Sequence, residues 1–255
     1  ALLSACGCKP MRLIRFPDED LPTGMALDAA GVKTLAVFAG DGTINAAAIK
    51  AEGWDGAILV LPGGTMNLLS KALHGDVTAQ DVIARVGAGT FDRLPRPAVR
   101  TSQGTALVEV LAGPGAMWAD VRESVRDFDL GAVAETFSKA LRETREGAGV
   151  TIASSAKADG YRALRVAPEE DGLQVEGYDF SDFADFAAQG FAMLVKRDFR
   201  LGPHDDLGHF ATVECRSDSP IALMIDGERR QGAPCETFTR IVFPVDFIAT
   251  EPGRD

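Results

Sequence analysis

The chain is poor in the residues that build metal and disulfide frameworks. It has four cysteines (Cys6, Cys8, Cys215 and Cys235) and three histidines (His74, His204 and His209) in 255 residues. Cys6-Gly7-Cys8 is tighter than zinc-binding pairs are, and no His or Cys is suitably placed to complete a site. No H-E-x-x-H pattern occurs. The cysteines therefore read as reduced cytosolic thiols. Uninterrupted apolar runs of about 18 residues are missing, so no transmembrane helix is expected. No basic segment followed by an apolar one suggests a secretory leader. Positive charge is in deficit, with 26 Lys and Arg against 37 Asp and Glu and a formal net charge of -11. That balance disfavours nucleic acid as a partner and standing adhesion to an anionic membrane, while leaving brief membrane contact open. The two tryptophans, Trp54 and Trp118, read as packing residues rather than stacking platforms.

What is present is an ordinary soluble composition, 46% hydrophobic and 25% charged, long enough for one large domain or two modest ones. The first hundred residues alternate strand and helix signals. Residues 12–16 form a short strand candidate. Residues 34–39 (TLAVFA) are a continuous apolar run ending at Gly40, and residues 44–51 are Ala-rich and helical. A second apolar run, 57–61 (AILVL), is stopped by Pro62-Gly63-Gly64. Residues 66–73 read as helix with Gly75 as the stop. Thr78 opens another helix, with Asp81 as a capping-box partner and Gly87 at the end. Short non-alternating strands interleaved with helices predict an α/β domain with a parallel sheet covered on both faces.

After Pro95-Arg96-Pro97 the texture changes. Residues 106–111, 161–166, 173–178, 191–195, 211–215, 221–225 and 239–243 read as strands, with Glu169-Glu170-Asp171-Gly172 as a hairpin turn. One helix, with its apolar face at Leu130, Val133, Ala134, Phe137, Ala140 and Leu141, interrupts them. The expectation is a β-rich sandwich or open barrel over residues 96–255, following an α/β domain over residues 1–95. The last residues are candidates to return to the first domain.

Three short motifs carry the chemistry. Gly40-Asp41-Gly42-Thr43-Ile44-Asn45 follows the first apolar run. Pro62-Gly63-Gly64-Thr65-Met66-Asn67 follows the second. In a parallel arrangement both would leave the same edge of the sheet, beyond the carboxyl ends of the strands, where ligands bind in open α/β sheets. Glycines there admit phosphate oxygens to backbone N–H groups, and the following helix adds its N-terminal dipole. Asp41 then serves a nucleotide hydroxyl or Mg²⁺. Alternatively, Asp41 or Thr43 is a plain N-cap. Neither G-x-x-x-x-G-K-[ST] nor G-x-G-x-x-G is found, which excludes an ordinary P-loop or dinucleotide fingerprint. The third motif, Ile225-Asp226-Gly227-Glu228, ends a strand in the second domain. It reads as a hairpin turn or as a carboxylate for proton transfer. His204-Asp205-Asp206 is a weaker group, in which Asp205 and Asp206 are candidate metal ligands or simply a polar surface loop.

In this order, "GDGTIN", "LPGGTMNLLSKALHG" and "IDGE" resemble the diacylglycerol kinase and sphingosine kinase superfamily of lipid kinases, including its small bacterial members. The resemblance implies an N-terminal ATP-binding α/β domain similar to NAD kinases and phosphofructokinases. It implies a C-terminal β-rich domain that helps bind lipid, with the active site in the cleft between. By position, Gly40, Asp41, Gly42, Thr43 and Asn45 match the first nucleotide loop, and Gly63, Gly64, Thr65 and Asn67 match the second. Asp226 and Glu228 match the Asp-Gly-Glu turn, with Asp226 as general base. The cofactors implied are ATP and Mg²⁺. The implied partners are a lipid substrate and a transiently touched membrane surface, in a cytoplasmic protein peripheral to the inner membrane face. Ala39 stands where the family has its first glycine, and Leu68 where many members have Asp. The family's Asn-Pro-x-Ser-Gly loop has no counterpart, and residues 4–8 do not supply one. Two alternatives remain: an NAD-kinase-like nucleotide kinase, and a nucleotide-binding relative without turnover.

Overall fold

A computed structural model describes residues 10–117, 147–153, 157–179 and 204–251. The helix expected around residues 130–141 and the strand at 191–195 lie outside the described residues, as do Cys6, Cys8 and Trp118. The chain divides into two compact units, one of residues 1–97 with 242–255 and one of residues 98–241.

The first unit runs α1 (Gly24–Ala29), β1 (Thr34–Ala39), α2 (Asp41–Lys50), β2 (Ala57–Pro62), α3 (Leu68–His74), α4 (Ala79–Gly87) and β3 (Asp92–Leu94). The second unit contains β4 (Pro97–Thr101), β5 (Gly104–Ala106), β6 (Val110–Ala112), β7 (Thr151–Ile152), β8 (Ala163–Pro168), β9 (Leu173–Tyr178), β10 (Asp205–Phe210), β11 (Thr212–Arg216), β12 (Ala222–Ile225), β13 (Glu228–Gln231) and β14 (Cys235–Val242). The chain then returns to the first unit through β15 (Asp246–Ala249).

In the first unit the strand order is β1-β2-β15-β3. β1 and β15 both run parallel to β2, with Thr34 opposite Ala57, Ala39 opposite Pro62 and Phe247 opposite Ile58. The parallel sheet is thus present. β2 is buried on both faces, which its unbroken apolar run requires. Ala57, Leu59 and Leu61 pack on Ala79, Val82 and Ile83 of α4 and on Ile248. β1 differs from the expectation of a strand covered on both sides. Among the described residues it lies at the sheet edge with alternating exposure, and Phe38 is 65% exposed. Residues 12–16 form no strand; Arg12 instead pairs with Glu19 at 2.9 Å. Thr78 and Asp81 close the capping box, with Asp81 Oδ2 accepting from Thr78 N–H at 3.0 Å and Thr78 Oγ1 accepting from Asp81 N–H at 3.3 Å.

His74 ties this unit together. It is fully buried; its Nδ1 accepts from the Thr250 N–H at 3.3 Å, and its Nε2 lies 2.9 Å from Val60 O as donor. Burial pushes its pKa down to about 4, so the ring is neutral at pH 7.

The second unit is β-rich, as its strand signals predict. A six-stranded sheet in the order β10-β9-β8-β6-β12-β13 and a five-stranded sheet in the order β5-β4-β14-β11-β7 share one core. Val110, Leu164, Val166, Val175, Leu223 and Ile225 from the first meet Val99, Val213, Cys215 and Phe238 from the second. Each alternates along its strand with residues on the opposite face. The 169–172 turn closes with Glu169 N–H donating to Gly172 O at 2.8 Å.

Candidate functional site

The two glycine loops of the first unit lie against one another. β1 ends at Ala39, Gly40 is the N-cap of α2, and Asp41, Gly42 and Thr43 form the helix's first turn. The motif is therefore a helix start with no loop between. Gly40 supplies no side-chain cap, so the orphan N–H groups of that turn keep the electropositive character of a helix start. After β2, Gly63 N–H donates to Ala39 O at 3.1 Å, extending the ladder by one bond. A Cβ on Gly63 would sit 2.6 Å from Ala39 N, and one on Gly64 would sit 2.5 Å from Gly40 Cα. The backbone is bare at these positions because the two loops touch main chain to main chain.

Asn67 holds the second loop shut. It adopts a left-handed backbone at φ 52°, which Asn tolerates better than most residues. Its Oδ1 accepts from Gly64 N–H at 2.7 Å, and its Nδ2 donates to Gly64 O at 3.0 Å. Asp41 reaches across from the first loop: its two carboxylate oxygens accept from Leu68 N–H at 3.1 Å and Leu69 N–H at 3.0 Å. Asp41 thus does cap a helix, but α3 rather than its own. Thr43 is half-buried, Asn45 is buried, and Gly63, Gly64 and Thr65 are exposed. So Gly40, Asp41, Gly42, Thr43, Gly63, Gly64, Thr65 and Asn67 come together, and Asn45 lies beneath them in α2.

In the second unit Asp226 and Gly227 join β12 to β13, with Ile225 opposite Glu228. Both turn residues have positive φ, 45° and 90°, the pattern of a type I′ hairpin. The Asp226 carboxylate is buried. It accepts from Leu107 N–H at 2.7 Å and from Val108 and Glu109 N–H at 3.0 Å each. It thereby organises the link between β5 and β6. Glu228 is exposed and pairs with Arg230 at 3.4 Å.

Beside Asp226 lies a chain of charges that sequence reasoning missed. Glu109, itself buried, takes Arg165 Nε at 2.7 Å; Arg165 also donates to Glu176 at 2.9 Å, and Tyr178 Oη donates to Glu176 at 2.7 Å. Burial alone would lower the Arg165 pKa, but Glu109 and Glu176 more than offset it. Burial and the Glu176 hydrogen bond push the Tyr178 phenol up. Arg165 and Glu176 face each other on β8 and β9, a pairing that only the strand register reveals.

The candidate metal ligands have other partners. Asp205 accepts from Tyr161 Oη at 2.9 Å. Asp206 accepts from Gly208 N–H at 2.9 Å and Gln174 Nε2 at 3.0 Å; the Gly208 bond holds its carboxyl below the usual range. The acid–imidazole group that does converge among the described residues is Glu169, Asp171 and His209, all exposed, with ligand atoms within 4.8 Å of one another.

Residues 16–95 match the family model described as the diacylglycerol kinase catalytic domain. No curated protein matches the chain. A crystal structure of a diacylglycerol kinase from Bacillus anthracis str. Sterne is 14% identical, with a TM-score of 0.59, covering 98% of this chain and 89% of that one. A solved structure of a candidate diacylglycerol kinase from the same organism is 16% identical, with a TM-score of 0.61, covering 100% of this chain and 90% of that one. At such identity the likeness is one of fold. Residues 16–95, which hold both glycine loops, thus resemble the diacylglycerol kinase catalytic domain, and the chain as a whole shares the fold of these two structures.

Proposed function

We propose that the chain is an ATP-dependent lipid kinase that transfers the γ-phosphoryl group to a primary hydroxyl of a lipid such as diacylglycerol or a sphingoid base. The observation that carries this reading is the pair of glycine loops in main-chain contact at the ends of adjacent parallel strands, beside a helix start that no side chain caps. That arrangement suits a polyphosphate, since N–H groups and helix dipole converge where no Cβ intrudes. We read the first unit as a nucleotide-binding domain of the NAD-kinase and phosphofructokinase type. Gly40, Gly42, Thr43, Gly63, Gly64 and Thr65 admit the phosphates in this reading, while Asn67 fixes the second loop. ATP, when bound with Mg²⁺, supplies the transferable phosphoryl group and the charge that neutralises its oxygens.

As the new P–O bond forms, the bond from the γ-phosphorus to the β,γ-bridging oxygen breaks, ADP leaves with that oxygen, and the hydroxyl proton passes to a carboxylate. Asp226 is the candidate for orienting that hydroxyl. Its carboxylate is held in place by the Leu107, Val108 and Glu109 N–H groups, which fix the direction in which it faces. A water-insoluble acceptor also requires transient contact with a lipid surface. Among the described residues no helix is long and apolar enough to cross a membrane.

The test is phosphoryl transfer from γ-labelled ATP with Mg²⁺ by the full chain, offered diacylglycerol, monoacylglycerol, sphingosine and ceramide in mixed micelles. Label in at least one lipid is expected. ATP binding with no labelled lipid would sink the lipid-kinase reading. Label in NAD instead would favour the nucleotide-kinase alternative, and no label at all a binding protein without turnover.

A further inference from the structure

We infer that Asp41 is a positioning residue that braces the second glycine loop, and that it does not bind metal directly. The first-turn N–H groups of a helix have no intrahelical acceptor. In α3 the first intrahelical bond is Lys71 N–H to Asn67 O at 2.9 Å, so Leu68 and Leu69 depend on an acceptor from outside the helix. Asn67, the N-cap, makes no side-chain cap because its amide is turned back onto Gly64. Asp41 fills that gap with one oxygen on each N–H. A carboxylate on helix N-terminal amides gains both charge-assisted hydrogen bonds and the dipole. The brace therefore joins the start of α2 to the start of α3. Together with the contact between Gly40 and Gly64, it makes the two loops one preassembled body. Residues 39–45 and 62–69 contain no other acidic side chain. On the reading of these loops as a nucleotide site, the divalent cation is held by the phosphates and not by a carboxylate of the loops.

Two measurements on the full chain test this, with Asp41→Asn and Asp41→Glu as variants. The first is amide hydrogen exchange of the ligand-free protein. An Asn side chain sets an NH₂ against one of the two N–H donors. Exchange at Leu68 and Leu69 should then rise roughly tenfold or more, while Lys71 stays protected. The longer Asp41→Glu carboxylate should restore part of that protection. The second is ATP affinity measured with EDTA and with Mg²⁺. A brace predicts that Asp41→Asn weakens both forms by the same factor; the ratio of the two is insensitive to any fraction of unfolded protein. A metal ligand predicts loss of the Mg²⁺-dependent increment alone. Unchanged exchange at Leu68 and Leu69 overturns the inference, and so does a selective loss of Mg²⁺-dependent affinity. A lowered melting temperature with ATP affinity intact also overturns it, because the brace would then not serve the cradle. If the parent chain binds no ATP, the kinase reading fails, and the exchange experiment still decides the brace.

Discussion

Asp41 and Asp226 occupy different units and opposite backbone settings, and both carboxylates end on main-chain N–H groups. Asp41 sits half-buried in a helix's first turn and grips a helix start that lies 27 and 28 residues further along the chain. Asp226 sits buried in a left-handed turn and grips three consecutive amides that lead into the neighbouring strand β6. The first joins two helix starts; the second stitches an interior. An aspartate next to glycine in a sequence thus announces a carboxylate aimed at backbone as readily as one aimed at a ligand. Its surroundings decide how much of it remains for chemistry.

The largest effect expected from breaking this comparison is at Asp226. Asp226→Ala leaves three N–H groups without their acceptor and forces Ala into the left-handed region, so the chain should lose about 3 kcal/mol or more in urea unfolding. Asp226→Asn keeps the turn geometry and should unfold at a concentration nearer the parent's. If Asp226 handles the substrate hydroxyl, the Asn variant loses about 10²–10⁴ in rate. Full activity in a folded Asn variant would leave Asp226 a structural role only.

A smaller effect separates the units by pH. His74 has its pKa pushed down to about 4 from 6.5. The unfolded chain therefore binds a proton that the folded one refuses between those values. The stability it confers is complete above pH 6.5 and fades as pH falls toward 4, by about 3 kcal/mol in all. Thermal melts read by hydrogen exchange should show residues 57–62 and 68–74 losing protection on acidification before β8 and β9 do. Equal loss in both units would contradict this account of His74.

The smallest stability effect is at the loop contact. In Gly64→Ala the new methyl meets Gly40 Cα, a backbone atom that cannot swing aside. The loops must part, at a cost of about 1–3 kcal/mol, and ATP affinity measured by calorimetry should fall by more than that stability change alone explains. Undiminished affinity would mean that the loops need not touch to hold phosphate.

Much of the first unit was legible because its signals are local. β2 announces itself as AILVL, and Thr78 with Asp81 forms a capping box three residues apart. β1 carries an equally apolar run, yet among the described residues it has a strand neighbour on one side only, and nothing in TLAVFA separates an edge from a centre. The glycine loops were legible as a pair, but their mutual contact was not, since spacing along a chain says nothing about Cβ clearance. Asp41's grip on α3 and the Glu109–Arg165–Glu176 chain were hidden for a related reason. Each joins residues whose nearness depends on strand register. β15 escaped notice because four residues, DFIA, carry too little pattern to stand out.

That short strand sets an order of events. β3 ends at Leu94 and β15 begins at Asp246, yet β15 lies between β2 and β3 in the sheet. On the ribosome β1, β2 and β3 emerge before the second unit, and β15 only after it. The first unit's most apolar strand waits with an open edge while the whole second unit, continuous in sequence, is made. An open apolar edge is a template for wrong partners, so β15, with the His74–Thr250 bond that latches it, protects β2 only after the second unit has been made.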